Sequence, residues 1–73
     1  NSFVLRMADR FSERVTKDVG SRGDAQVTAV YALAYQRQPA AVEVSAAIEF
    51  IAEHGLAAYC RIILNSNEFI HVD

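Results

Sequence analysis

Apolar residues recur through the first twenty positions at helical intervals. Phe3, Val4, Met7, Ala8, Phe11 and Val15 share one face, and Arg6, Asp9, Arg10, Glu13, Arg14, Lys17 and Asp18 take the other. This spacing predicts an amphipathic helix over 2–19, capped by Ser2. Glu13–Lys17 and Arg14–Asp18 are i,i+4 pairs of opposite sign, each worth a few tenths of a kcal/mol. Such a mixed-sign face reads as a solvated surface; the sharper alternative is a docking face for another domain.

Val19-Gly20-Ser21-Arg22-Gly23 breaks the pattern, with Gly20 suited to the left-handed residue that follows a helix. Asp24 is expected to cap a second helix over 24–36, its carboxylate meeting free backbone N–H groups; that explains it better than the weak adhesion-type triplet Arg22-Gly23-Asp24. Val27, Val30, Tyr31 and Ala34 form the apolar stripe, flanked by Leu33 and Tyr35. Pro39 removes a backbone donor and pushes Gln38 out of helical geometry, so the chain turns there. A third helix is expected over 41–53, carrying Val44, Ala47, Ile48 and Ile51. Glu43 stands where a capping box places its glutamate. The cap position holds Ala40, which costs about 1 kcal/mol relative to serine or threonine. Gly55 then stops the helix in a left-handed conformation. A fourth helix follows over 56–64, with Leu56, Cys60, Ile63 and Leu64 facing inward.

The last stretch is a short tail, residues 65–73. Asn65 is expected to end the fourth helix in a left-handed conformation, with local hydrogen bonds from Asn65, Ser66 and Asn67. Phe69, Ile70 and Val72 make this tail too apolar for a frayed end. The pattern predicts that it folds back onto the helices, with Phe69 as a core plug and Glu68 linked to Arg37. The fold class is therefore all-α: one compact bundle of four short helices closed by an apolar tail.

Composition narrows the chemistry. In a chain of 73 residues, 52% are hydrophobic, and twelve of those are alanines that fill little volume. A domain this small buries only about 60% of its unfolded surface, so its stability is marginal. The net charge is −2, and its basic residues occur singly among acids, a pattern unsuited to a phosphate backbone. No run is long and apolar enough to suggest membrane insertion. The single cysteine, Cys60, excludes an internal disulfide and reads as a small buried hydrophobe. His54 falls in the last turn of a helix, where the dipole favours positive charge. No spacing ties it to His71 or Asp73 as a metal site.

Cys60-Arg61-Ile62-Ile63-Leu64-Asn65-Ser66-Asn67-Glu68-Phe69-Ile70-His71-Val72-Asp73 resembles the closing motif of a planctomycete protein family. In that family a C-terminal domain of unknown function follows a cytochrome-associated domain, often with a c-type cytochrome module upstream. The family motif runs Leu-Asn-Ser-Asn-Glu-Phe, an apolar residue, an aromatic, then Val-Asp; here His71 replaces the aromatic. Tyr31, Leu33, Arg37, Pro39 and Glu43 are similar to a second family pattern, with Gln36 in place of its usual glycine and Ala40 in place of its capping hydroxyl. Asn1 to Val4 also resemble the opening of the same region. The resemblance covers nearly the whole chain. It implies the carboxyl end of a large exported protein, periplasmic or extracellular, whose c-type haem lies in another domain and whose other domains are this one's partners.

These readings make the chain a non-catalytic structural or interaction module. The alternative is an accessory domain whose polar tail (Asn65, Asn67, Glu68, His71 and Asp73) completes a ligand or cofactor site with another domain. An autonomous enzyme is the weakest reading, since no acid/base constellation stands out. The residues singled out as motif or structural positions are Arg37, Pro39, Glu43, Asn65, Asn67, Glu68, Phe69 and Asp73.

Overall fold

The computed structural model describes residues 2–66. Four helices follow one another: α1 (Ser2–Val19), α2 (Gly23–Ala34), α3 (Ala41–His54) and α4 (Leu56–Leu64). They pack as an all-α bundle with no strand among the described residues. The first and last helices make the most extensive pairing, and α2 and α3 complete the bundle. The packing of the tail onto the helices concerns residues beyond Ser66 and lies outside the described residues.

The core is assembled from small and medium side chains. Ala8 and Val15 of α1, Val27 and Val30 of α2 and Cys60 of α4 are fully buried; Tyr31, Ala47, Tyr59 and Ile63 surround them. Two residues expected on the packing face of α1 are not buried, since Phe3 is 62% and Met7 42% exposed. The reason is a mismatch in length. An 18-residue helix spans about 27 Å and a 9-residue helix about 13 Å. α4 ends at Leu64, beside Val4 and Met7, so among the described residues no helix lies across the first turn of α1.

The turns follow backbone preference more than side-chain capping. Gly20 adopts φ +79° and donates its N–H to the Thr16 carbonyl at 2.8 Å. α2 begins one residue earlier than Asp24. Its cap is Arg22, which offers no side-chain acceptor, and Asp24 falls within the first turn. There Asp24 accepts the Ala25 N–H at 2.8 Å and pairs with Arg22 at 2.8 Å. These two bonds supply the negative charge that the helix start favours, without the cap position itself. Gln26, buried at 6% exposure, donates its side-chain amide to the Gly20 carbonyl at 2.8 Å and so ties the α1–α2 corner.

α2 stops at Ala34, two residues short of the expected Gln36. The Tyr35 and Gln36 N–H groups both donate to the Tyr31 carbonyl, at 2.8 and 3.0 Å. This holds Gln36 at φ +58°, a conformation that costs an L-residue with a side chain about 1–2 kcal/mol. Gln36→Gly is expected to stabilise the domain, net of glycine's extra unfolded entropy, by roughly 1 kcal/mol. A rise in the urea midpoint with unchanged slope checks this.

Gly55 joins α3 directly to α4 as the cap of both. Its φ is positive, as expected, but φ +92° and ψ 159° lie in the extended glycine region, not the left-handed helical one. An extended residue redirects the chain into a new helix; a left-handed helical residue would curl it back on α3.

Candidate functional site

The α2–α3 turn gathers Arg37, Pro39 and Glu43 into one unit. Pro39 ends any helical continuation, and α3 starts two residues later. Ala40, at the cap, has no side-chain acceptor. Glu43 supplies the other half of the capping arrangement by accepting the Ala40 N–H at 2.8 Å. The same carboxylate is bridged twice by the Arg37 guanidinium, at 3.0 and 3.1 Å. Such a forked contact has more directional specificity than a single ion pair. Arg37 also donates to the Gln38 carbonyl at 3.1 Å. Its guanidinium lies 5.0 Å from the Tyr31 ring centre and 5.7 Å from that of Tyr35, within the range of cation–π attraction.

The tyrosines carry this cluster into the core. Tyr31 and Tyr35 meet edge to face, with ring centres 5.0 Å apart. Tyr31 of α2 and Tyr59 of α4 are both buried in the same core cluster. The Tyr35 hydroxyl lies 2.7 Å from Ser66 Oγ, which donates to the Ile63 carbonyl at 2.8 Å. At the same end of α4, the Asn65 side-chain amide donates to the Arg61 carbonyl at 3.0 Å. The expected hydrogen-bonded stop is therefore present at Asn65 and Ser66. It is made with Asn65 at φ −96°, not in a left-handed conformation, because the backbone and side-chain donors of Asn65 both reach back to the last turn.

A shallow cleft of about 370 Å³ opens beside the cluster, walled by Tyr31, Tyr35, Glu43, Phe50, Tyr59 and Ile62. Its titratable groups are held away from neutral-pH chemistry. Burial, reinforced by the neighbouring Tyr31, pushes the Tyr59 phenol far above its ordinary range, and burial also raises Tyr31. Both stay neutral. The hydrogen bonds from Arg37 and from the Ala40 N–H lower Glu43 and keep it ionised. Burial pushes the Cys60 thiol up to about 12, so it offers no thiolate to act as a nucleophile. His54 is exposed and stacks on Phe50, with ring centres 4.6 Å apart. Among the described residues no group of three His, Cys, Asp or Glu side chains stands close enough to hold a metal. No helix among them is long and apolar enough to cross a membrane.

The pH response follows from Glu43 and Asp24. Both carboxyls sit below their ordinary values when folded, Asp24 through Arg22 and the Ala25 N–H. Their contribution is complete above the unfolded value, 4.5 for Glu43. It is lost as the pH falls through the lowered folded value. Thermal melts should therefore show a fall in stability below about pH 4.5, and Glu43→Gln should flatten that fall while lowering the melting temperature at pH 7.

The structure brings together Arg37, Pro39 and Glu43 of the expected positions and places Asn65 at the nearby end of α4. Asn67, Glu68, Phe69 and Asp73, and with them the expected Glu68–Arg37 link, lie outside the described residues. The residues that sequence patterning missed are Tyr35 and Ser66 as polar partners, Tyr31 as the ring beneath Arg37, and Gln26 as a buried tie. Tyr31 and Tyr35 stand four apart in sequence, which signals their contact. Nothing local signals the bond from Tyr35 to Ser66. No protein-family model, no curated protein and no solved structure matches the chain.

Proposed function

We propose that this domain is a non-catalytic helical structural and interaction module, standing at the C-terminus of a large exported protein of planctomycete type and packing against that protein's other domains. One observation carries the reading. The polar side chains beside the central cleft are bonded to one another, Arg37 to Glu43 and Tyr35 to Ser66, and no buried side-chain nitrogen or oxygen among the described residues lacks a partner. An enzymatic site keeps groups poised for substrate, with acid and base strengths near the working pH. Here the corresponding groups are spent on joining helices. The planctomycete context rests on the resemblance of the Tyr31–Glu43 and Cys60–Asp73 stretches.

The test is complementation in trans. The domain is mixed with the parent chain lacking it, and association is followed by calorimetry and size-exclusion chromatography. A stoichiometric complex is the expected result. No association at high micromolar concentration, with both pieces folded, overturns the proposal.

A further inference from the structure

Beside α1 lies a narrow apolar cleft with a basic edge. Its larger part, about 350 Å³, is walled by Met7 and Phe11 of α1, Leu33 and Ala34 of α2 and Leu64 of α4. Phe3 and Val4 continue it toward the start of α1 as a smaller recess that shares Met7 and Leu64. Arg10 and Arg14 edge the larger part, and Arg6 joins them beside Phe3 and Met7. The cleft shares no lining residue with the central one.

We infer that this cleft binds a single-chain anionic amphiphile, a fatty-acid carboxylate, with its acyl chain between Met7, Phe11, Leu33 and Leu64 and its carboxylate on Arg10 and Arg14. Charge is the first argument. The chain carries nine acidic residues against seven basic ones, yet no acidic side chain lines any part of this cleft. Arg6, Arg10 and Arg14 stand four apart, so they form one row of like charge along the helix, which is unfavourable until an anion meets it. Among the described residues Arg6 and Arg10 have no ion-pair partner, and Arg14 reaches Asp18 only at 3.7 Å. Each guanidinium offers a planar fork of donors that matches a carboxylate.

Polarity is the second argument. Apart from the arginines, every side chain lining the cleft is a hydrocarbon or a thioether. An extended peptide would bring backbone N–H and C=O groups to walls that cannot satisfy them, whereas an acyl chain has none to satisfy. Size is the third. The cleft is at the small end of ligand sites, which run from about 300 to 1,000 Å³, and the stretch of α1 from Phe3 to Arg14 gives it a length of about 16 Å. Met7, flexible and polarisable, can adapt to such a chain. The inference is independent of how the domain meets its parent protein.

Met7 is the chain's single methionine, so its labelled ε-methyl gives one NMR signal from the cleft. The full chain is titrated with dodecanoate below its micellar concentration, with dodecyltrimethylammonium, which pairs a chain of the same length with the opposite charge, and with phosphatidylglycerol vesicles. A saturable, stoichiometric shift of the Met7 methyl with dodecanoate is the expected result, about tenfold tighter or more than with the ammonium analogue. Arg10 and Arg14 are exposed, so the double variant Arg10→Gln, Arg14→Gln should stay folded, lose about tenfold in dodecanoate affinity and lose nothing for the ammonium analogue. No saturable Met7 shift with dodecanoate overturns the inference, as does equal affinity for the two head charges. A response to vesicles without one to monomeric dodecanoate also overturns it, and assigns the arginine row to a membrane surface.

Discussion

Tyr31→Ala is expected to be the most damaging single substitution, at a cost of about 3–5 kcal/mol. The ring is 7% exposed. It meets Tyr35 edge to face and carries the Arg37 guanidinium above it. Removing it opens a cavity in the core between α2 and α4. A chain of this length has roughly 4–11 kcal/mol of stability in all. The melting temperature, followed by circular dichroism at 222 nm, should fall by about 15–30 °C. Tyr31→Phe separates the ring from the hydroxyl. It keeps the ring and removes only the hydroxyl, at a cost of about 1 kcal/mol. If Tyr31→Ala lowered the melting temperature no further than Tyr31→Phe, the packing role assigned to the ring would be wrong.

Gly55→Ala is expected to have the second largest effect, about 1–3 kcal/mol, and for a different reason. A Cβ at this position would meet no atom within 4 Å, so crowding contributes nothing. The whole cost lies in forcing an alanine to φ +92° and ψ 159°. Gly20→Ala makes the control. It too has open space around it, but φ +79° followed by a hydrogen-bonded return to Thr16 describes an ordinary helix stop that alanine adopts at about 1–2 kcal/mol. Urea unfolding of both variants should show the larger loss at Gly55. Equal losses would mean that the joint between α3 and α4 relaxes by shifting a helix end.

Much of the fold is legible because helix periodicity and breaker residues act locally. Gly20, Pro39 and Gly55 mark the corners, and the stripes between them give four helices with ends within two residues of those found. The α2–α3 turn is also local, so Pro39 and Glu43 can be picked out from breaker chemistry and capping spacing, whereas Arg37 stands out only as the expected partner of Glu68 and through the resemblance, and its pairing with Glu43 is not foreseen. The failures have a common origin in distance along the chain. Phe3 and Met7 obey the periodicity of a buried face, yet whether that face is covered depends on where α4 ends, some sixty residues later. Asp24 has the chemistry of a cap, but Gln26 anchors the corner through the Gly20 carbonyl, and the helix begins one residue before Asp24. Gln36 gives no sign of a positive φ in its own residue type, and the turn holds it there as a strained residue. The tyrosine–serine bond joins residues 31 positions apart, and no local pattern encodes it.

The pairing of α1 with α4 also constrains how the chain is made. Of these four helices the first made has its main partner in the last made, so the core around Ala8, Val15 and Cys60 cannot close before α4 has emerged. Until Leu64 has cleared the ribosome, the apolar stripe of α1 stands uncovered or borrows another surface. Nascent chains stalled short of α4 should therefore bind chaperones and yield to protease, whereas chains stalled well beyond it should acquire protection in a single step.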